Sequence, residues 1–492
     1  MIFNSLVYLI FLPVVLLLLT GAAERCKWIL LLAASYLFYM WWNPSLIVLI
    51  LTSTAVSYFC ALMIERSERR KVRIFFLTVS LVILFGFLFF FKYFNFFTSL
   101  TADICALFGL SVPKTSLDLI LPVGISFYTF QTLSYVIDVC RGTISAESHF
   151  GYYALYVSFF PQLVAGPIER PENLLPQLKQ KIVFTRENIR AGLSAMAVGY
   201  FKKIAAADLL AGYVNSVYNA PAEQSGTAVA IATLLFTIQI YCDFSGYSDI
   251  AVGTARLMGI RLMKNFDLPY SSSSVKEFWD RWHISLSSWL RDYLYFPLGG
   301  NRKGKIRAQI NIFIVFLASG LWHGANLTFV LWGVVHGAAR ITENLLYPLR
   351  RKLFSSMSQK GSWILEGIFR IFTFVFISFT WIFFRANSIS DLSVLLRALV
   401  TDLSLSQNAL RSAMSVMGMS GTELILTLLT VLCLILIDLL TQEREKTADV
   451  LSADQKTIDR TAETVQLFWI VICAALLLVS SGGSSSFIYF QF

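Results

Sequence analysis

Long unbroken apolar runs, rather than alternating ones, dominate this chain. The first extends from Ile2 to Ala23. Trp28–Trp42 and Leu46–Ile64 follow, separated by Asn43-Pro44. Phe75–Phe97, Leu117–Val139, Tyr152–Val164, Thr227–Tyr241, Ile306–Leu321, Leu327–Leu345, Trp363–Phe384, Leu424–Leu440 and Leu467–Ser480 continue the series. A helix needs about 20 apolar residues to cross a bilayer, so the pattern predicts an all-α, polytopic membrane protein of about eleven spans. Transmembrane strands would alternate polar and apolar positions, which these runs do not. Asn188–Val214 is apolar but carries Lys202-Lys203 in its middle. Adjacent lysines are costly at bilayer depth, so this segment reads as an interfacial or protein-buried helix. With no internal repeat and no long linker, residues 1–492 read as a single membrane-embedded domain with short or re-entrant helices among the spans.

Charge orients the pattern. No basic residue precedes the Ile2–Ala23 run, and Arg25 and Lys27 follow it, the reverse of a cleavable signal peptide. It reads as a retained span with its N-terminus outside. The loop Glu65–Arg73 holds Arg66, Arg69, Arg70, Lys71 and Arg73, and the flank around Arg302–Arg307 is similarly basic. Excess Lys and Arg place both in the cytoplasm, along with the polar stretch Glu169–Arg190.

Composition narrows the class further. Hydrophobic residues make up 56% of the 492 positions and charged residues 14%, against roughly 25% charged in an ordinary soluble domain. A soluble enzyme, a disordered chain and a repeat solenoid are excluded. The net charge of +10 is accounted for by cytoplasmic loops; nucleic-acid binding would need a basic stripe interleaved with exposed aromatics on a soluble domain. The seven cysteines form no C-x-x-C pair and sit largely inside apolar runs as small hydrophobes. Neither a disulfide framework nor a metal site is indicated. Signatures for phosphate loops, dinucleotide turns, H-E-x-x-H metal sites and G-x-S-x-G elbows are absent from the sequence.

Polar groups inside a membrane domain are expensive, which makes them functional candidates. Of four histidines, His323 lies in Gly320-Leu-Trp-His-Gly-Ala325. Gly320 and Gly324 share a helical face that permits close backbone approach, and Gly324 with Asn326 marks a helix break. An imidazole there, beside Trp322, can serve as a general base at a cavity or as a core histidine bonded to a backbone carbonyl. His283 lies in a stripe of Trp279, Trp282, Leu286, Trp289 and Tyr293 at helical spacing, with Asp280, Arg281, Ser287, Arg291 and Asp292 opposite. This reads as an interfacial or re-entrant amphipathic helix in which Asp280 is placed to orient the His283 ring. The alternative is a membrane-surface helix with a snorkelling polar face. His336 lies thirteen residues after His323, about 20 Å along a continuous helix, and reads as structural, near Gly333 and Gly337. His149 reads as an exposed loop residue. Asp243 and Asp249 flank a further polar cluster, Asp243 either as a helix N-cap or lining a cavity.

These residues fall in segments that carry a resemblance. Leu121-Pro-Val-Gly-Ile-Ser-Phe-Tyr-Thr-Phe-Gln131, Ala165-Gly-Pro-Ile-Glu-Arg170 and Asp243-Phe-Ser-Gly-Tyr-Ser-Asp249 come first. Phe278-Trp-Asp-Arg-Trp-His-Ile-Ser-Leu-Ser287, Gly320-Leu-Trp-His-Gly-Ala325, Trp381-Ile-Phe-Phe-Arg385 and Phe487-Ile-Tyr-Phe-Gln-Phe492 follow in family order. Together they resemble the membrane-bound O-acyltransferase family in its bacterial alginate O-acetyltransferase branch, with the D-alanyl transfer protein of teichoic acid more distant. The resemblance implies spanning helices around a thin centre where a cytoplasmic and an outer funnel meet. It implies His323 as the catalytic histidine and His283 as its companion, in a multi-pass protein of the bacterial inner membrane. It further implies that no cofactor is bound permanently, that the donor is acetyl-CoA, and that an outer-face SGNH-type acetyltransferase partner completes transfer to a polysaccharide acceptor. Asp243, Asp249, Arg291 and Trp322 are the candidate substrate contacts. A lipid-linked sugar flippase or a non-catalytic scaffold of an exopolysaccharide machine would share the polytopic architecture. A flippase favours inverted repeats with paired broken helices, which the sequence does not display.

Overall fold

Helices fit this sequence because hydrocarbon offers the backbone no partners, so each segment must satisfy its own N–H and C=O groups. The computed structural model describes residues 1–450 apart from Ile120 and Ala165, with side chains through Leu440. Among these residues every regular element is helical. Six helices there are long and apolar enough to cross a membrane: Pro44–Arg66, Arg70–Leu107, Gly226–Leu257, Lys305–His323, Gln359–Arg385 and Gly421–Leu440; Leu6–Gly21 is a shorter apolar helix. The expected span Leu467–Ser480 and the terminal Phe487–Phe492 motif lie outside the described residues. Leu428, Leu429, Leu432, Ile435 and Leu439 are all about half exposed on the last helix, as suits a face that meets lipid rather than water.

The chain groups into two compact units that interleave in sequence: Met1–Leu193 with Ala251–Lys264, and Ser194–Ile250 with Asn265 onward. In the first, Asn43 and Pro44 start the second helix of a pair as expected. The Asn43 side chain accepts from Ser45 N at 3.0 Å, and proline is tolerated in a first turn. Two expected spans are corrected. The 117–139 run becomes helical only at Ile125, giving Ile125–Arg141. Gly124, at φ +76°, turns the chain where the Leu163 carbonyl lies 2.6 Å from the place a Cβ would occupy, a position open only to glycine. The 152–164 run is helical only over Phe150–Ser158, about 14 Å long and too short to cross. His149 is exposed, as read, and caps that helix by accepting from Tyr152 N at 3.3 Å.

Glu169 is fully buried in this unit. Its Oε1 accepts from Met263 N at 2.5 Å and its Oε2 from Asn173 Nδ2 at 2.6 Å. Burial pushes its carboxyl from 4.5 up to about 7, against the opposing pull of those two hydrogen bonds and Arg170.

The second unit holds both histidine motifs. Its frame is a hairpin, Lys305–His323 and Leu327–Ser355, with Gln359–Arg385 packed against the returning helix. Two short helices, Val275–Arg281 and Ile284–Leu290, lead to the π-helical turn Arg291–Tyr295.

Candidate active site

The hairpin closes through small residues. A Cβ on Gly320 would fall on the Phe329 carbonyl oxygen and lie 3.4 Å from Gly333 Cα. This contact brings the two helices together one turn before His323, which ends the first of them. Gly324 is extended, and Asn326 caps the return helix, its side chain accepting from Thr328 N at 3.1 Å. Asn326 Nδ2 also donates to the Asn387 carbonyl at 2.9 Å. The break expected at Gly324–Asn326 is therefore present, and it fixes the imidazole at a helix end.

His323 is buried inside an aromatic box. Its ring meets Trp322 at 5.0 Å, Trp332 at 5.2 Å and Phe384 at 5.1 Å, all edge-on.

 The same Trp322 ring lies 5.7 Å from His283, so one indole forms a wall shared by both histidines.

His283 is fully buried and stands between the two short helices with φ +45° and ψ 54°. The continuous amphipathic stripe expected over residues 279–293 is thereby corrected: the chain leaves the helix at Trp282 and restarts at Ile284. The expected orienting role of Asp280 is corrected too. Its carboxylate is exposed and accepts from Lys276 Nζ at 2.6 Å, while the His283 Nδ1 faces Asn265 Oδ1 at 3.2 Å. Phe244 packs edge-on against the ring at 4.6 Å. Desolvation pushes the His283 ring from 6.5 down to about 3, so the ring is neutral near pH 7.

His336 sits nearer to this cluster than a continuous helix would allow, because the chain reverses at Gly324. His323 and His336 pack on the same indole, Trp332, with His336 at 4.7 Å. His336 Nδ1 accepts from Trp279 Nε1 at 3.2 Å, and its Nε2 lies 3.1 Å from Thr380 Oγ1. Its surroundings are thus these aromatic and hydroxyl partners rather than Gly333 and Gly337 alone.

Asp243 and Asp249 are each engaged by a lysine. Asp243 is no N-cap, since it lies well inside Gly226–Leu257. Lys203 Nζ lies 2.6 Å from Asp243 Oδ1 and 2.9 Å from Asp208 Oδ1. Lys202 Nζ lies 3.0 Å from Asp249 Oδ2 and 3.2 Å from Asp438 Oδ1, and Tyr241 donates to Asp438 Oδ2 at 2.7 Å. The lysine pair is therefore protein-buried, on the π-helical segment Phe201–Asp208. Arg291 is more than half exposed and donates to Asp292 Oδ1 at 2.9 Å. The structure thus brings His283, Trp322 and His323 together, and it engages Asp243 and Asp249 with lysines. Asn265, Trp332 and Phe384 join the site without a periodic signal that singles them out; Phe384 alone falls in a quoted motif. Among the described residues no group of three His, Cys, Asp or Glu side chains could hold a metal ion.

A buried imidazole at a helix break, walled by aromatic rings in an apolar helical protein, has the chemistry to take or give a proton away from bulk water. Residues 141–384 match the model of the membrane-bound O-acyltransferase family. The chain is 38% identical over 391 residues to the probable alginate O-acetylase AlgI of Pseudomonas aeruginosa, covering 79% of this chain and 73% of that one. It is 35% identical over 500 residues to the protein of the same name in Pseudomonas putida, covering the whole of both. The peptidoglycan O-acetyltransferase of Helicobacter pylori is 35% identical over 398 residues, 75% of this chain and 73% of that one. The chain belongs to the membrane-bound O-acyltransferase family and is a multi-pass membrane O-acyltransferase.

Proposed function

We propose that this protein transfers an acetyl group from cytoplasmic acetyl-CoA toward the outer face of the inner membrane, for O-acetylation of an exported polysaccharide such as alginate. An SGNH-type acetyltransferase on the outer face would receive the group or complete its transfer. His323 acts as general base. It takes the proton of an incoming hydroxyl as that oxygen attacks the thioester carbonyl; the C–O bond forms, the C–S bond breaks, and the CoA thiolate leaves and is protonated. His283 and Trp322 hold the reacting groups beside it. The observation that carries this reading is the placement of His323 at a capped helix break inside an aromatic box shared through Trp322 with His283. The names of the similar proteins, which specify alginate or peptidoglycan O-acetylation, support an acetyl group and a glycan acceptor.

The test is His323→Gln in membranes supplied with acetyl-CoA, reading release of the free CoA thiol and acetylation of the glycan. A positioned general base contributes typically ~10²–10⁴-fold, so transfer should fall by about 100-fold or more while the protein inserts normally. Transfer close to the wild-type rate would remove His323 from the base role.

A further inference from the structure

The left-handed backbone of His283, at φ +45°, is unfavourable for a residue with a Cβ, and such strain persists only where neighbours over-determine it. One buried residue supplies most of that restraint. The Asn265 carbonyl accepts from Ile284 N at 2.9 Å. Its Oδ1 accepts from Ser285 N at 3.2 Å and from Ser285 Oγ at 2.9 Å. Its Nδ2 donates to Ser248 Oγ at 3.2 Å.

These contacts fix which way the amide points. A backbone N–H can only donate, so the side-chain atom facing Ser285 N must be oxygen. The same oxygen lies 3.2 Å from His283 Nδ1. An amide oxygen only accepts, so Nδ1 must carry the proton of that hydrogen bond. In a neutral imidazole the lone pair then falls on Nε2.

We propose that Asn265 is a positioning residue that locks His283 in its Nδ1–H tautomer, making Nε2 the acceptor nitrogen that this ring presents to the acyl-transfer site. The inference rests on reading His283 as part of that site. The backbone bonds to Ile284 and Ser285 would suffice to hold the turn; the bond to the ring does something further, because it selects one of two tautomers. Phe244 from the Gly226–Leu257 helix, Trp322 from the Lys305–His323 helix, Asn265 from the stretch after Gly226–Leu257, and Ser285 from the helix that follows the ring face it, and all four are neutral. A carboxylate in place of the amide would accept the same bond and favour the imidazolium, so Asn265→Asp should raise the pH at which the ring is protonated by about 1–3 units.

The test is nitrogen NMR of the full-length protein in liposomes with isotope-labelled histidine. The four histidines give few signals, and the one lost in His283→Gln identifies this ring. The expected result is an Nδ1–H ring in the wild type and a tautomer mixture in Asn265→Ala. CoA-thiol release from acetyl-CoA should fall roughly 10–100-fold in that variant, in kcat rather than KM. In Asn265→Asp an acid limb should appear nearer neutrality. An Nε2–H ring in the wild type overturns the proposal, as does an unchanged ring signal or unchanged transfer in Asn265→Ala. Should Asn265→Ala fail to accumulate, the wild-type tautomer and the Asn265→Asp pH profile decide. Full transfer by His283→Gln removes the reading beneath the inference, whereas an Nε2–H ring together with an inactive His283→Gln removes the inference alone.

Discussion

Replacing Lys203 with methionine isolates the contribution of the buried charge cluster. Lys203, Asp208 and Asp243 side chains are each 3–4% exposed, with the ammonium 2.9 Å and 2.6 Å from the two carboxylates. Lys203→Met keeps most of the side chain, removes the ammonium and leaves two buried carboxylates facing an uncharged methyl end. Removing one partner of a buried ion pair costs about 3–5 kcal/mol, about a fifth or more of a total stability of about 5–15 kcal/mol. Swapping all the charges for neutral groups of similar shape is often neutral or better. Lys203→Met alone should therefore lower the thermal midpoint in detergent, read by size-exclusion fluorescence after heating, by about 3–5 °C. Adding Asp208→Asn and Asp243→Asn should restore it, together with CoA-thiol release. A Lys203→Met protein as heat-resistant as the wild type would refute the reasoning. A triple variant that is stable but inactive would support Asp243 as a substrate contact.

Gly320→Ala should destabilise the hairpin by about 1–3 kcal/mol, because backbone rather than a flexible side chain occupies the new Cβ's place. Displacing His323 by roughly 1 Å should cost ~10²-fold in transfer, and wild-type transfer in this variant would show that the close approach does not position the imidazole. Glu169 supplies a pH prediction. Its folded-state pKa of about 7 lies above its ordinary 4.5, so the folded protein holds this proton more tightly than the unfolded chain. That stabilising contribution is complete below pH 4.5 and is lost as pH rises through 7. Glu169→Gln keeps the shape and does not titrate, while Asn173 can turn its amide to match. The variant should gain on the wild type between pH 5 and pH 8, by at most about 3 kcal/mol. A gap in thermal midpoint that does not widen with pH would contradict the assignment.

Much of this was legible in the chain, for physical reasons that differ by element. The hairpin around His323 was readable because two long apolar runs, a Gly pair and an Asn cap all demand the same break. The ends of 117–139 and 152–164 were not, because hydropathy reports burial and cannot distinguish a spanning helix from an apolar loop packed inside protein. The stripe from Trp279 to Tyr293 misled for a related reason. Its apolar residues do face inward, but His283 adopts a left-handed conformation between two short helices, and period alone carries no dihedral information. Spacing on a continuous helix pairs Asp280 with His283, but the kink at His283 sends Asp280 to the surface. Asn265, eighteen residues away in sequence, acts through a fold contact that no local pattern encodes. Asp243 and Lys203 are each visible as costly polar groups, but their pairing requires knowing that the two segments lie side by side.

The helix end at His323 bears on why a base belongs there. The last carbonyls of a helix have no intrahelical partners and carry the negative end of its dipole. In a protein surrounded by lipid, such an end is tolerated where it is buried in protein or borders a cavity. Lys305–His323 ends inside an aromatic box, with Gly324 extended and the chain re-entering a helix at the Asn326 cap. A proton accepted by His323 during transfer would sit beside that negative helix end, an interaction worth about 0.3–1 kcal/mol and more when water is excluded. His283, in contrast, precedes the helix Ile284–Leu290 and is held by a neutral amide among neutral rings. The two imidazoles share one indole wall but not one electrostatic setting. On the proposed reading proton uptake falls to His323 and hydrogen-bond acceptance to His283, and exchanging those roles would require a charge at His283 among neighbours that are all neutral.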